Sequence, residues 1–191
     1  IYDAVNSLLI KNRILAPKLY NENYKKNFIE IQDFGKHNIL HLLKKKIIDK
    51  KRIYKKSIDL LIKIQKIKNK TTKNFEGKNY KLPNYDAVKL FAETKLFLDW
   101  YATKYLSKKK KLIFNIEIKK QIKFLLSNLK LKNNVFVHRD FHVSNLIKYK
   151  DNLAILDTQD AIIGNRAYDL ASLIDDVRFE SSKNFKDFIY N

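Results

Sequence analysis

The chain contains no cysteine, so neither a disulfide framework nor a thiolate metal site can exist in it. Its three glycines, Gly35, Gly77 and Gly164, are too few and too dispersed for a glycine-rich loop over phosphates. The two prolines are Pro17, where the first helix is expected to stop, and Pro83, which closes the likeliest long loop. No stretch approaches the ~18 uninterrupted apolar residues of a membrane span, so no membrane partner is expected. The first residues carry Asp3 and Asn6 within an apolar pattern and lack a basic leader, so no secretory signal is expected either. A cytoplasmic setting is the default reading. Arginine is scarce: five of the 40 basic residues are Arg and the other 35 are Lys.

What is present argues for a packed enzyme-sized domain. A hydrophobic share of 45%, with 13% aromatics, supplies a core, and 191 residues allow one domain or slightly more. The formal charge of +20 resembles a nucleic-acid signature at first sight. The abundance of Lys, Asn and Ile is, however, the bias of an AT-rich coding sequence. The lysines are scattered apart from short blocks at 44–46, 50–52 (with Arg52) and 108–111, and aromatics do not interleave with those blocks. The excess is read as solvated surface, with a modest attraction for polyanionic nucleotides and no nucleic-acid partner.

Hydrophobic periodicity predicts helices over 1–14, 39–48, 52–68, 115–129, from about Tyr168, and over 185–190. A long helix capped by Asn84 is expected to reach about Leu106. Along it Ala87, Leu90, Phe91, Thr94, Leu98, Tyr101 and Tyr105 share one face, which predicts that Trp100 and Tyr101 belong to the core. Short strands are expected at 18–20, 28–31, 135–137, 146–148 and 153–156, and a long loop at 69–83.

The polar residues that carry chemistry cluster around the last of these strands. The run Val135-Phe-Val-His-Arg-Asp-Phe-His-Val-Ser-Asn145 is followed by Leu153-Ala-Ile-Leu-Asp157. A lone Asp140 would be read as a turn cap; its coincidence with Asn145 and Asp157 is what changes the reading. Asp140 becomes the candidate base that orients an acceptor hydroxyl and takes its proton. Asn145 and Asp157 become candidate Mg²⁺ ligands, since Mg²⁺ takes one or two hard oxygen donors from protein and the rest from phosphate and water. Together these groups are what phosphoryl transfer from ATP requires. His138 is expected to hold the loop through hydrogen bonds, and Arg139 completes the candidate catalytic set. His142 has two readings, contact with phosphate or fixing of the loop; a His138/His142 metal site is weaker because no further ligands lie nearby. Asp169, at the start of an apolar helix, is a natural N-terminal cap and could also anchor the catalytic-loop backbone. Asp160 is ambiguous.

These residues resemble the aminoglycoside phosphotransferase/choline kinase superfamily, whose loop reads His-x-Asp-x-His-x-x-x-Asn or close to it. The closer likeness is to bacterial kinases of N-acetylmuramate and N-acetylglucosamine in cell-wall recycling. It runs through His138-Arg-Asp-Phe-His142, Leu156-Asp-Thr-Gln-Asp-Ala161, Ile163-Gly164, Tyr168-Asp-Leu170, and Glu93 with Phe97-Leu-Asp-Trp-Tyr101. Ala16-Pro-Lys18 and Phe28-Ile-Glu-Ile-Gln-Asp-Phe-Gly35 resemble the end of that group's N-terminal lobe. The resemblance implies an α+β, protein-kinase-like fold: residues 1–35 as the tail of the N-terminal lobe and hinge, residues 36–191 as a helical C-terminal lobe with small hairpins. It implies that Glu30, Ile31, Gln32 and Asp33 bind the adenine of ATP, that Mg²⁺ is the metal, and that an amino sugar is the substrate. Thr158 stands where the family usually has an aromatic. The phosphate-covering loop and its lysine are expected to be absent, and the chain is expected to be a fragment with weak activity of its own.

Other readings predict other behaviour. A choline, aminoglycoside or homoserine kinase of the same superfamily would take a different acceptor, and a cationic one would want an acidic pocket. A protein kinase is disfavoured by His142 in place of Lys and by the lack of Asp-Phe-Gly and Ala-Pro-Glu. A basic binding module would show salt-sensitive nucleic-acid binding indifferent to Asp140→Ala.

Overall fold

The computed structural model describes residues 1–129 and 132–190. The chain divides into two compact units, Ile1–Pro83 with Asn134–Asn191, and Asn84–Asn133. Asn191, the last residue of the expected C-terminal lobe, lies outside the described residues.

In the first unit, α1 (Tyr2–Lys11) buries Ala4, Val5, Leu8 and Leu9 on one stripe, the spacing its sequence dictates. An antiparallel hairpin follows, β1 (Leu19–Asn23) with β2 (Phe28–Ile31), bulged between Leu19 and Asn21. Helix α2 (Ile39–Lys44) is capped by Asn38 and ends earlier than its apolar pattern suggests. The reason lies at Lys46, whose φ is +55°, and at Ile47, whose N–H donates to the Leu42 carbonyl at 2.9 Å. That left-handed turn closes the helix on its own last carbonyls. Helix α3 (Lys50–Gln65) starts where Asp49 Oδ1 accepts from the Arg52 N–H at 2.6 Å.

The expected loop at 69–83 is in fact a hairpin, β3 (Thr71–Lys73) with β4 (Asn79–Lys81). Asn74 turns it by accepting the Lys78 N–H on its side chain at 2.7 Å, and Gly77 supplies a φ of +78°. Its strands are too short and polar to show an alternating pattern, which is why composition alone read it as loop.

Strand β5 (Asn133–Val137) pairs with β8 (Ile162–Asn165), a strand the apolar runs did not predict. Strands β6 (Leu146–Tyr149) and β7 (Asn152–Ile155) form an antiparallel hairpin in the register Leu146↔Ile155 to Tyr149↔Asn152. Helices α7 (Ala167–Ile174) and α8 (Lys183–Tyr190) complete the unit. One core, including Leu8, Leu9, Ile39, Tyr54, Ile64, Phe136, Phe141, Leu146, Ile155, Ile163 and Leu173, ties α1, α2 and α3 to the strands that flank the polar motif. Each such side chain contributes about 1.5–3 kcal/mol on burial, so the motif is mounted on this core.

In the second unit, α4 (Ala87–Leu96) is capped by Asp86, whose Oδ1 accepts the Lys89 N–H at 2.9 Å; Asn84 is not the cap. The chain then widens into a π-helical segment, Phe97–Ala102, before α5 (Thr103–Tyr105) and α6 (Lys108–Ser127). A π turn breaks the 3.6-residue phase, and the aromatic stripe expected in the core is largely outside it. Trp100 is 76% exposed and Tyr101 50%. Phe97 stacks on Tyr101 with centroids 5.0 Å apart, and Tyr101 lies against Tyr105 at 4.8 Å, so these rings cover one another. Leu98 and Ala102 are the buried members of the segment.

Candidate active site

Strand β5 delivers the chain into the loop His138–His142 and the β6–β7 hairpin carries it onward to Asp157. His138 is fully buried and bonds to both sides of the site. Its Nδ1 accepts the Asp140 backbone N–H at 3.2 Å, and its Nε2 lies 3.0 Å from the Leu156 carbonyl. Both bonds are satisfied together only by the neutral tautomer protonated at Nε2, which donates to Leu156. Burial pushes the imidazole pKa down to about 4, although the Leu156 hydrogen bond and the Asp157 charge oppose the fall. His138 is therefore held as the neutral imidazole between two backbone groups.

Leu156 is held from two directions. Its carbonyl takes the His138 bond, and its N–H donates to the Asn145 carbonyl at 2.9 Å. Asn145 in turn donates Nδ2 to the Asp140 carbonyl at 3.1 Å. That bond fixes the amide so that Oδ1 is the atom left for a cation. Asp140, Asn145 and Leu156, the residue before Asp157, are thus joined by a closed set of bonds. The hard oxygens of Asn145 and Asp157 fit Mg²⁺. No group of three or more His, Cys, Asp or Glu that could hold a metal occurs among the described residues.

Two backbone positions in the site are left-handed: Arg139 at φ +78° and Asp157 at φ +61°. Each costs a non-glycine residue about 1–2 kcal/mol, and such strain persists only where the surroundings over-determine it. At Arg139 the restraint comes from Asp169 on α7. Its carboxylate, fully buried, accepts the His138 N–H at 2.7 Å and the Arg139 N–H at 3.0 Å. Asp169 lies inside the first turn of α7 and caps the catalytic loop in place of its own helix. Burial raises its pKa to about 7 against the pull of those two N–H groups.

The remaining expected residues are placed as follows. Arg139 Nη1 lies 3.8 Å from Asp160 Oδ1, a long pair between a half-buried arginine and an exposed aspartate, of little energetic weight. His142 is buried, and its Nδ1 lies 2.7 Å from Ser144 Oγ; burial, with Arg178 adding, lowers its pKa. Asp157 Oδ1 accepts from Gln159 Nε2 at 2.6 Å. Glu30 and Ile31 end β2, Gln32 donates its N–H to the Lys18 carbonyl at 2.8 Å, and Asp33 Oδ1 accepts the Gly35 N–H at 2.7 Å. No hydrogen bond among these joins the 30–33 segment directly to the catalytic loop. The link runs through the residues that follow it. Phe34 meets Tyr149 edge-on at 5.0 Å, the His37 carbonyl accepts the Lys148 N–H at 2.9 Å, and Asn38 Nδ2 donates to the Ser144 carbonyl. Sequence reading did not single out Asn38, because a helix cap and a bridge to the catalytic loop look the same in one letter.

The architecture defines a class before it defines a family. It is similar to aminoglycoside phosphotransferase APH(2'')-Ib in its ADP-bound form, with a TM-score of 0.62 and 16% identity over 96% of this chain and 62% of that one. It is likewise similar to the choline kinase LicA from Streptococcus pneumoniae, with a TM-score of 0.59 and 12% identity over 96% of this chain and 57% of that one. These likenesses establish the protein-kinase-like fold. Residues 11–188 match the model of the phosphotransferase enzyme family (APH), and the chain belongs to that family.

Among its relatives, the N-acetylmuramate/N-acetylglucosamine kinase of Pseudomonas aeruginosa is 28% identical over 172 residues, 90% of this chain and 48% of that protein. The protein of the same name from Neisseria meningitidis serogroup B is 35% identical over 104 residues, 54% of this chain and 31% of that one. The chain spans about half the length of the first of these relatives. No helix among the described residues is long and apolar enough to cross a membrane.

Proposed function

We propose that the protein serves transfer of the terminal phosphoryl group of ATP to a hydroxyl of an amino sugar, N-acetylmuramate or N-acetylglucosamine. The observation that carries the proposal is the bond set joining Asp140, Asn145 and Leu156-Asp157 through His138. It ties the backbone of the base to the segments that carry the two hard oxygen donors, which supports their acting together. Asp140 orients the acceptor hydroxyl and accepts its proton. Asn145 Oδ1 and Asp157 hold Mg²⁺, which neutralises charge on the transferred phosphate when bound. His138, Asp169 and Arg139 keep the loop in place, and His142, tied to Ser144, fixes the turn between base and amide. Residues 1–35 serve as the end of an N-terminal lobe with the 30–33 segment as its adenine-binding hinge, and residues 36–191 as the C-terminal lobe. Dependence on ATP and a sugar acceptor suits a cytoplasmic enzyme. The sugar rests on the names of relatives, the Pseudomonas aeruginosa protein aligning with 90% of this chain and the Neisseria meningitidis one with 54%.

The test is ATP consumption with N-acetylmuramate, N-acetylglucosamine and choline, run beside Asp140→Asn. Sugar-dependent turnover is expected, lowered by about 10²–10⁴ in the variant, the usual worth of general acid–base catalysis. Turnover with choline and neither sugar would replace the substrate assignment. ATP consumption insensitive to Asp140→Asn would remove the residue from the chemistry.

A further inference from the structure

Thr158, the residue after the proposed metal ligand, is fully buried, and its Oγ1 donates to Asn6 Oδ1 at 2.5 Å. Asn6 sits on α1, 152 residues away in sequence, and is 1% exposed. Its other amide atom is committed as well, since Nδ2 donates to the Pro17 carbonyl at 2.9 Å. That second bond fixes which way the amide faces, so Oδ1 can only accept and the Thr158 hydroxyl can only donate. One arrangement of the three groups satisfies them all. Tyr2, one helical turn before Asn6, joins the same cluster. Burial raises its phenol pKa, its hydrogen bond to Asn6 opposes the rise, and the charge of Asp157 adds to it.

A buried polar pair is a poor way to gain stability, because apolar side chains of similar volume pack there at no desolvation cost. What such a pair supplies is a single geometry. Here the geometry bears on a left-handed residue, Asp157. Leu156 restrains it on one side through His138 and Asn145, and Thr158 is the next residue on the other side, where its own carbonyl also accepts the Ala161 N–H at 3.1 Å. The dihedrals of Asp157 are therefore determined from both flanks.

We infer that Asn6 and Thr158 are positioning residues: their buried hydrogen bond holds Asp157 in its cation-binding orientation and ties that orientation to helix α1. The inference rests on the kinase reading of Asp157, and its test separates the two. Mn²⁺ binding to the 191-residue chain with ADP is followed by the enhancement of water proton relaxation, read against a protein-free Mn²⁺–ADP blank. Thr158→Val, Thr158→Ser, Asn6→Ala and Asp157→Asn are compared with the wild type. Thr158→Val keeps the shape and loses the donor; it is expected to weaken Mn²⁺ binding tenfold or more, with Thr158→Ser within about twofold of wild type. Asn6→Ala is expected to match Thr158→Val, and the double variant to be no worse than either single one.

Asp157→Asn with unchanged Mn²⁺ affinity would overturn the kinase reading itself. Loss in Asp157→Asn alongside unchanged affinity in a folded Thr158→Val would leave that reading standing and overturn this one, even if Thr158→Val lowered the melting temperature. Should Thr158→Val not fold, amide hydrogen exchange in the wild type decides the matter. Mn²⁺ with ADP is expected to slow exchange in α1 together with residues 156–161, and protection confined to 156–161 would overturn the coupling.

Discussion

Asp169 and His138 meet at one backbone N–H yet answer acid in opposite directions. The Asp169 carboxyl has a folded pKa of about 7, above its ordinary 3.8, so between those values the folded chain keeps a proton that the unfolded chain releases. Its burial penalty is present above pH 7 and is relieved as pH falls toward 4. For His138 the folded pKa of about 4 lies below 6.5, so the unfolded chain takes up a proton that the folded one refuses. Its stabilising contribution is complete above pH 6.5 and is lost as pH falls to 4. Each group alone gives a slope near 1.4 kcal/mol per pH unit at most, and from about pH 4 to 6.5 the two offset. Urea unfolding at pH 5, 6 and 7 should expose them one at a time. Relative to wild type, His138→Gln should gain stability as pH is lowered through this range. Asp169→Asn should lose it, and at pH 7 should also cost about 1–3 kcal/mol for a backbone N–H left without an acceptor.

At the level of elements, two positions invite a direct check. The β6–β7 hairpin turns through Lys150 at φ +54°, a conformation that favours glycine. Lys150→Gly is expected to raise stability by about 0.5–1 kcal/mol in thermal unfolding. Asp49→Ala removes the side-chain cap of α3 and is expected to cost about 1 kcal/mol. Local signals of this kind are also what made much of the fold legible from sequence. The amphipathic stripe of α1, the apolar runs of β5 and β7, and the five-residue step from Asp140 to Asn145 are all short-range patterns, and the site residues were nameable because they lie on them. Where two equally good caps stand two residues apart, as Asn84 and Asp86 do, sequence offers no ground for choice. The π segment is invisible to an argument built on 3.6 residues per turn. Strand β8 was overlooked because Ile162–Asn165 contains glycine and only two β-branched residues. The Asn6–Thr158 bond belongs to tertiary structure alone, since nothing local marks two common polar residues 152 positions apart as partners.

For the whole molecule the governing quantity is charge. Forty basic side chains against 20 acidic ones leave a surplus that the ion pairs do little to quench, since pairs such as Lys78–Glu76, Lys95–Asp99 and Lys186–Asp175 are solvent-exposed. Self-repulsion should therefore tax the folded state at low ionic strength. Raising salt from about 0.01 to 1 M shrinks the screening length from about 30 Å to about 3 Å. The melting temperature is expected to rise by several degrees over that range when followed by circular dichroism; a flat or falling profile would mean that the lysines repel one another less than their number implies.

The β6–β7 hairpin has a practical consequence. Asn145 precedes one strand and Asp157 follows the other, so both lie at its open end while the turn at Lys150-Asp151 lies at the far end. The ladder works as a pair of callipers whose jaws are set by register and whose handle is spare. Sequence spliced into the handle leaves the jaws unaltered, whereas a slip of one rung would part them. The turn is thus the natural place to graft a reporter, such as a fluorophore-bearing loop, onto a chain that has no cysteine elsewhere to compete for the label.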